Sequence, residues 1–260
     1  MMNVEQRAPL PSVTIIIPAY NEESRIKGVL DEISDFISTE NADWDLIVAV
    51  DGDDGTADIV RKYSSEYSFI KLDRGTERGG KGNAIKRVVN NSRGEFTLIM
   101  DADGSVRLED IVNNIHYLHD YDALIFDRYS KADNSIPLRR RIPSRGFNIL
   151  VRAFLKVNAR DTQCGYKIIR TNIIKDAFNK IGVTNTFFDV ALLYHIRMMG
   201  GRFKEIDVKY LHNEESKFNV LQEIIGQGVS LFAFILRHSR FYKYVPAWAR
   251  ELYMRKFRWI

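Results

Sequence analysis

Apolar residues in this chain come in short, dense runs that break off at polar clusters. Val13 to Ile17 is β-branched and closed by Pro18, so it reads as a buried strand stopping at the proline. Asn21, Glu22 and Glu23 follow with helix-start chemistry, and Ile26, Leu30, Ile33 and Ile37 recur at helical spacing. The unit repeats. Leu46 to Val50 is a second strand, ending in the acidic turn Asp51, Gly52, Asp53, Asp54, Gly55, with a helix from about Thr56. Phe69 to Leu72 is a weaker third strand, followed by the glycine-rich GTERGGKGNA and a helix carrying Ala84, Ile85 and Val88. Phe96 begins a strand that runs to Asp101; a helix over about Leu108 to Leu118 then leads to a strand at Ala123 to Phe126.

Past Asp127 the rhythm changes. Ile136 to Arg145, with two prolines and Arg139, Arg140, Arg141 and Arg145, reads as a cationic loop, either solvated or an anion-binding lid. Helices are expected at Phe147 to Val157, Asn172 to Phe178 and Asp189 to Met199, with DTQCGYKII a loop into a strand and Phe203 to Val208 a short strand. Alternating strands and helices imply an α/β fold, a mostly parallel sheet with helices on both faces, to whose rim the second half adds helices and a strand. No linker or internal repeat divides it.

The chemistry sits where the strands stop. PAYNE, DGDDGT, RGGKGNA and DADGS each follow a strand, so in a parallel sheet they converge on one edge, where such sheets keep their ligands. Asp101 and Asp103 can together hold a divalent cation whose remaining positions go to water and a diphosphate; in isolation, Asp-x-Asp is also an ordinary turn. Neither G-x-G-x-x-G nor G-x-x-x-x-G-K-[ST] is present, so dinucleotide and P-loop readings lack their phosphate-binding turns.

Composition narrows the class further. With 260 residues, 45% hydrophobic, the chain can bury a full core. Cys164 is its single cysteine, which excludes an intrachain disulfide or a cysteine-rich zinc cage; beside Gly165 it reads as a packed residue. The opening MMNVEQRAPLPS has no apolar core of a secretory signal, and the expectation is a protein that stays inside the cell. Ile224 to Leu236, an uncharged and mostly apolar run, is too short to cross a bilayer. The net charge of +4 is concentrated late: from Arg237 onward, cations interleave with Tyr242, Tyr244, Trp248, Phe257 and Trp259 and are opposed only by Glu251. That mixture suits a membrane surface; packing on the domain and single-stranded nucleic acid are the alternatives, and no nucleic-acid partner is expected. His116, His119, His195 and His212 lack a metal-binding pattern and read as structural.

In order and position the four strand-end motifs resemble glycosyltransferase family 2, whose nucleotide-binding domain has the Rossmann-like GT-A fold. DTQCGYK at Asp161 to Lys167, FDVALLY at Phe188 to Tyr194 and ESK at Glu215 to Lys217 look like its dolichyl-phosphate β-glucosyltransferase branch, next to the dolichyl-phosphate mannose synthases. The resemblance implies that Pro18, Ala19, Tyr20 and Glu22 line base and ribose, that Asp51 meets the base, and that Lys81 lies beside the diphosphate. It also implies that Asp101, Ala102 and Asp103 hold the donor, with Asp101 and Asp103 ligating Mg²⁺ or Mn²⁺. Arg128, Arg145, Ser216 and Lys217 match its acceptor-phosphate positions, and Asp103, Asp161 and Asp189 form the catalytic set, the latter two as positioners of sugar or arginine.

Three departures stand out: Gly52 replaces the second aspartate of a shortened acidic turn, Ala191 stands where the motif has glutamate, and the anchors of longer relatives have no counterpart. The expectation is a catalytic domain over 1–217 and an amphipathic membrane-interface segment over 218–260. The reaction expected is inverting transfer of a hexose, UDP-glucose before GDP-mannose, onto polyprenyl phosphate at the cytoplasmic face of a membrane. A glycan hydroxyl acceptor and a non-catalytic nucleotide-sugar-binding module are the rivals.

Overall fold

A computed structural model describes residues 9–75, 79–129, 138–181, 187–211 and 220–248. Seven strands form one sheet in the order β3-β2-β1-β4-β6-β5-β7. They are β1 (Val13–Tyr20), β2 (Trp44–Asp51), β3 (Ile70–Arg74), β4 (Phe96–Ile99), β5 (Ala123–Asp127), β6 (Lys167–Arg170) and β7 (Phe203–Asp207). The helices are α1 (Ile26–Glu40), α2 (Thr56–Glu66), α3 (Lys81–Val88), α4 (Leu108–Val112), α5 (Leu138–Leu155), α6 (Thr171–Lys180), α7 (Phe188–Met198) and α8 (Val220–Arg237).

The central strands are continuous apolar runs because both sheet faces are covered. Val13, Ile15, Ile17 and Ala19 of β1 point into one buried cluster with α1, α2 and α4, while Ile16 points into the other, with α3, α6 and α7. β2 divides likewise, Leu46, Val48 and Val50 against Ile47 and Ala49. This is the two-residue alternation of a strand read from both sides. Each fully buried Ile, Leu or Val contributes about 1.5–3 kcal/mol, so the strands that carry the site are firmly anchored.

Four expectations need correction. β1 continues through Pro18 to Tyr20, whereas the proline was expected to end it. β4 pairs with β1 only as far as Ile16, whose carbonyl accepts the Met100 amide. Residue 18 faces the same side as residue 16, where β4 has already left, so the missing N–H breaks no ladder. Second, β6 is not at the rim: it lies between β4 and β5, antiparallel to both, and only β7 takes the edge. Third, α5 begins at Leu138 and runs through Pro143, where a loop was expected. The proline falls near the amino end of the helix, so only one interior hydrogen bond is forfeited. Fourth, the helix after β4 is α4 alone, followed by a short 3₁₀ segment at Ile115–His119.

The inversion of β6 positions the site. Because it runs backwards, the residues before it, Asp161 to Tyr166, stand at the edge where β1, β2, β3, β4 and β5 end. The segment after 217 does not stand apart from the body: α8 packs against α5, and its Leu231 and Phe234 are buried in the second cluster. Among the described residues no helix is long and apolar enough to cross a membrane.

Candidate active site

The first two loops are stitched together. β1 and β2 are parallel neighbours with Tyr20 beside Asp51, so the chain leaves both strands at the same height. Asn21, at a left-handed φ of 55°, accepts the Asp53 amide on its side-chain oxygen at 3.1 Å. The Glu23 carboxylate accepts the Gly55 amide at 3.0 Å, the Glu23 amide donates to Asp54 at 3.1 Å, and the Glu22 amide donates to Thr56 Oγ1 at 2.9 Å. Side chains that read as helix caps thus bridge two loops, and α1 starts at Ile26 with no side-chain cap. Gly52 is required here: its φ is 101°, and a Cβ would collide with the Asn21 side chain.

The third and fourth loops meet the first two. Asp51 is buried and accepts from the Gly79 amide at 3.2 Å and from Arg87 at 3.1 Å; Arg87 also pairs with Asp73. Two residues on, Lys81 Nζ lies 2.6 Å from Asp101 Oδ1. Ala102 is buried between the aspartates, and Asp103 Oδ1 accepts from the Ser105 amide at 2.9 Å and the Tyr166 hydroxyl at 3.2 Å. Gly165 lies so close to Asp101 that a Cβ there would overlap its carboxylate. Pro18 and Ala19 precede Tyr20 at the end of β1, with Ala19 buried and Tyr20 exposed.

A second group of charges adjoins it. Arg128, directly after β5, forks onto the fully buried Asp161 at 2.7 and 3.0 Å and lies over the rings of Tyr129 and Tyr210. Asp189, in the first turn of α7, pairs at 2.6 Å with Lys167, whose ammonium also reaches the Cys164 carbonyl. Arg145 lies on the exposed side of α5, one turn after Arg141, which reaches the Tyr129 carbonyl at 3.4 Å. Ser216 and Lys217 lie outside the described residues, as do Glu215, His212 and the tail from 249.

Electrostatics tie the groups into one site. Burial works against charge on Asp101, but Lys81, with Arg128 and Lys167 behind it, holds its carboxyl below the usual range. Burial likewise opposes the Lys81 ammonium, and Asp101 and Asp189 outweigh it, so Lys81 stays protonated beyond the ordinary lysine range. Glu22 is shifted upward by burial and by the facing charges of Asp103 and Asp101, although Arg25 pulls the other way. The three carboxylates thus feel one another's charge. Burial pushes the Cys164 thiol up to about 12, which removes it as a nucleophile at neutral pH.

The donor set fits a hard divalent cation. Two oxygen-bearing side chains one residue apart are too few for an all-protein cage, and among the described residues no three carboxylates, histidines or cysteines form one. One or two carboxylates with the rest from water and phosphate is how Mg²⁺ is commonly held. A cavity of about 560 Å³ lined by Ile47, Lys71, Asp73, Asn90 and Lys175 shares only Asp73 with this network. Tyr166, Lys167 and Gly165 were not singled out from the sequence. The motif containing them was noted, but a tyrosine in an apolar run reads as core, and only the direction of β6 brings it to Asp103.

The chain is similar to named proteins both in sequence and in fold. A dolichyl-phosphate beta-glucosyltransferase of Dictyostelium discoideum is 29% identical over 255 residues, covering 90% of this chain and 78% of the relative. Another enzyme of that name from Trichomonas vaginalis is 32% identical over 250 residues, covering 90% and 75%. Among solved structures, a glucosyl-3-phosphoglycerate synthase of Mycobacterium tuberculosis, in complex with Mn²⁺, UDP and glucosyl-3-phosphoglycerate, superposes with a TM-score of 0.64. It is 15% identical, covers 87% of this chain and 79% of its own, and has the same fold. The family model described as glycosyl transferase family 2 matches residues 14–178, from the first strand to the helix after β6, and the chain belongs to that family.

Proposed function

We propose that the protein moves glucose from UDP-glucose to a polyprenyl phosphate of the dolichyl type, with inversion, while resting on the cytoplasmic face of a membrane. The observation that carries this reading is the meeting of four strand-end loops at Asp101 and Asp103, beside the arginine fork of Arg128. The names of the relatives supply the acceptor and sugar, and the Mn²⁺ and UDP of the structural neighbour support a metal-dependent nucleotide-sugar site.

Asp101 and Asp103 would hold Mg²⁺ or Mn²⁺, and the charge it supplies when bound stabilises the departing diphosphate. Lys81 adds a second cation on the same side. Pro18, Ala19, Tyr20, Glu22 and Asp51 would line the space for uracil and ribose, in keeping with Tyr20 and Asp51 ending neighbouring strands side by side. On the acceptor side, Arg128, Arg145, Ser216 and Lys217 suit a phosphate-headed lipid. A phosphate monoester with a second pKa of about 6 is largely ionised at neutral pH, so its oxygen attacks the anomeric carbon as the bond to UDP breaks on the opposite face. No protein group has to remove a proton. Asp161 and Asp189 accord with that economy, since one is forked to Arg128 and the other paired with Lys167. We assign 1–217 to catalysis and 218–260 to membrane attachment.

Radiolabelled UDP-glucose incubated with polyprenyl phosphate and Mn²⁺ should yield an organic-extractable, acid-labile product, and GDP-mannose should yield far less. Equal or better transfer from GDP-mannose would overturn the donor assignment; no extractable product from any donor would overturn the reaction.

A further inference from the structure

One surface is built unlike the rest. On α5, Ile142, Ile149, Leu150 and Phe154 recur at positions i, i+7, i+8 and i+12, the spacing of a helical stripe, and all are exposed, Ile142 to 67%, Ile149 to 56% and Phe154 to 61%. The opposite side of the same helix is buried through Asn148, Val151 and Leu155. α8 packs against α5 and adds Phe232, 68% exposed. Isolated exposed apolar residues are ordinary, whereas a row of large ones on one helix is not.

The charge on this helix says what covers it. α5 carries five arginines and no acidic residue in sequence; Arg145 is exposed and Arg152 half-buried, while Arg141 turns inward. A second copy of the chain meeting this face would set arginines against arginines. An anionic lipid surface accepts both components at once, apolar side chains below the headgroups and guanidinium groups among them.

We infer that the outer face of α5, extended by Phe232, is where the protein sits on an anionic bilayer. This deepens the polyprenyl-phosphate reading and rests on it for its purpose, since the helix is tied to the acceptor side of the site. Arg141 reaches the Tyr129 carbonyl, and Asn148 accepts from the Thr162 amide at 3.1 Å and hydroxyl at 2.6 Å, next to Asp161. A phosphate borne by a lipid would meet Arg128 from the side on which α5 lies. It also places membrane contact on a helix well before residue 218.

The test uses the full chain and vesicles of phosphatidylcholine containing about a third phosphatidylglycerol. The double variant Ile149→Asp/Phe154→Asp is compared with Met198→Asp, an equally exposed apolar position at the end of α7. The double variant should lose roughly tenfold or more in vesicle partitioning, while Met198→Asp partitions like the wild type and both transfer glucose to a short, water-soluble prenyl phosphate within about twofold of wild type. Ile149→Ser/Phe154→Ser, gentler on folding, should fall between. Undiminished vesicle binding by the double variant overturns the proposal, as does an equal loss in Met198→Asp. A wild-type dimer that the double variant dissolves, with vesicle binding unchanged, overturns it in favour of a second copy. Vesicle binding that depends on this face without any transfer to prenyl phosphate would sustain the surface and sink the reaction.

Discussion

The hydroxyl of Tyr166 donates to Asp103 Oδ1 at 3.2 Å, from a side chain that is otherwise wholly buried. Burial and the neighbouring Asp103 and Asp101 charges keep that hydroxyl protonated, so it can only donate to the carboxylate. It thereby sets the rotamer of a side chain assigned to the cation. Tyr166→Phe should fold normally and bind Mn²⁺ about tenfold more weakly, in line with the loss of an outer partner of a metal ligand. Titration followed by electron paramagnetic resonance checks this, and unchanged affinity would leave Tyr166 a packing residue.

Gly165 has a comparable role by omission. A methyl group there would occupy the position of the Asp101 carboxylate, which can move aside only by leaving Lys81. Gly165→Ala should shift the melting temperature by no more than a few degrees while lowering kcat/KM for the donor by roughly 100-fold, about 2.7 kcal/mol. A large fall in melting temperature with donor kinetics preserved would assign the glycine to backbone packing instead.

Asp161 is expected to hold Arg128 in place and not to take a proton. Asp161→Asn leaves the largely buried guanidinium without a counter-charge and with an NH2 group in place of one accepting oxygen, and stability should drop by about 3 kcal/mol. Transfer should suffer mainly through a higher KM for the phosphate acceptor, with the pH profile unchanged in shape. If kcat collapsed and the acidic limb of the profile vanished, Asp161 would be the base.

His195, on α7 against Phe234 and His238, is driven down to about 4 by burial first and then by the charges of His238, Lys180 and Arg237. Unfolded, it titrates near about 6.5. A group favoured neutral in the fold stabilises it fully above that value, and the contribution is lost as pH falls through the interval toward 4. The protein should therefore lose stability between pH 6.5 and 4, and His195→Phe should flatten that part of the curve in urea melts recorded across it.

Much of this arrangement could be read from residue order alone, for reasons that also explain what could not. Strands buried on both faces are unbroken apolar runs, so β1, β2 and β4 and the loops after them stand out; Lys81 pairs with Asp101, and Asp51 accepts the Gly79 amide two residues before that lysine. Direction is another matter: KIIR has the same pattern whichever way it runs, so nothing in it announces that β6 is inverted or that Tyr166 ends beside Asp103. Asn21 and Glu23 mislead because the side chains that cap helices also bridge loops, and which they do depends on a neighbour brought close by the sheet. Two prolines and a cluster of arginines disguise the start of α5 as a loop, since local preference there yields to tertiary packing.

The placement of β6 also dictates an order of assembly. β4 and β5 are close in sequence but never touch as strands; Leu98 and Leu124 each pair with Ile168. A chain emerging from the ribosome can therefore pair β1 to β4 but leaves β5 an unpaired strand until residue 170 is free to slot between β4 and β5, and β7 then adds at the outer edge of β5. Closure through such distant partners is slow by nature, and until it happens neither Tyr166 nor Gly165 is in position. Competence to bind the donor is thus acquired late and all at once.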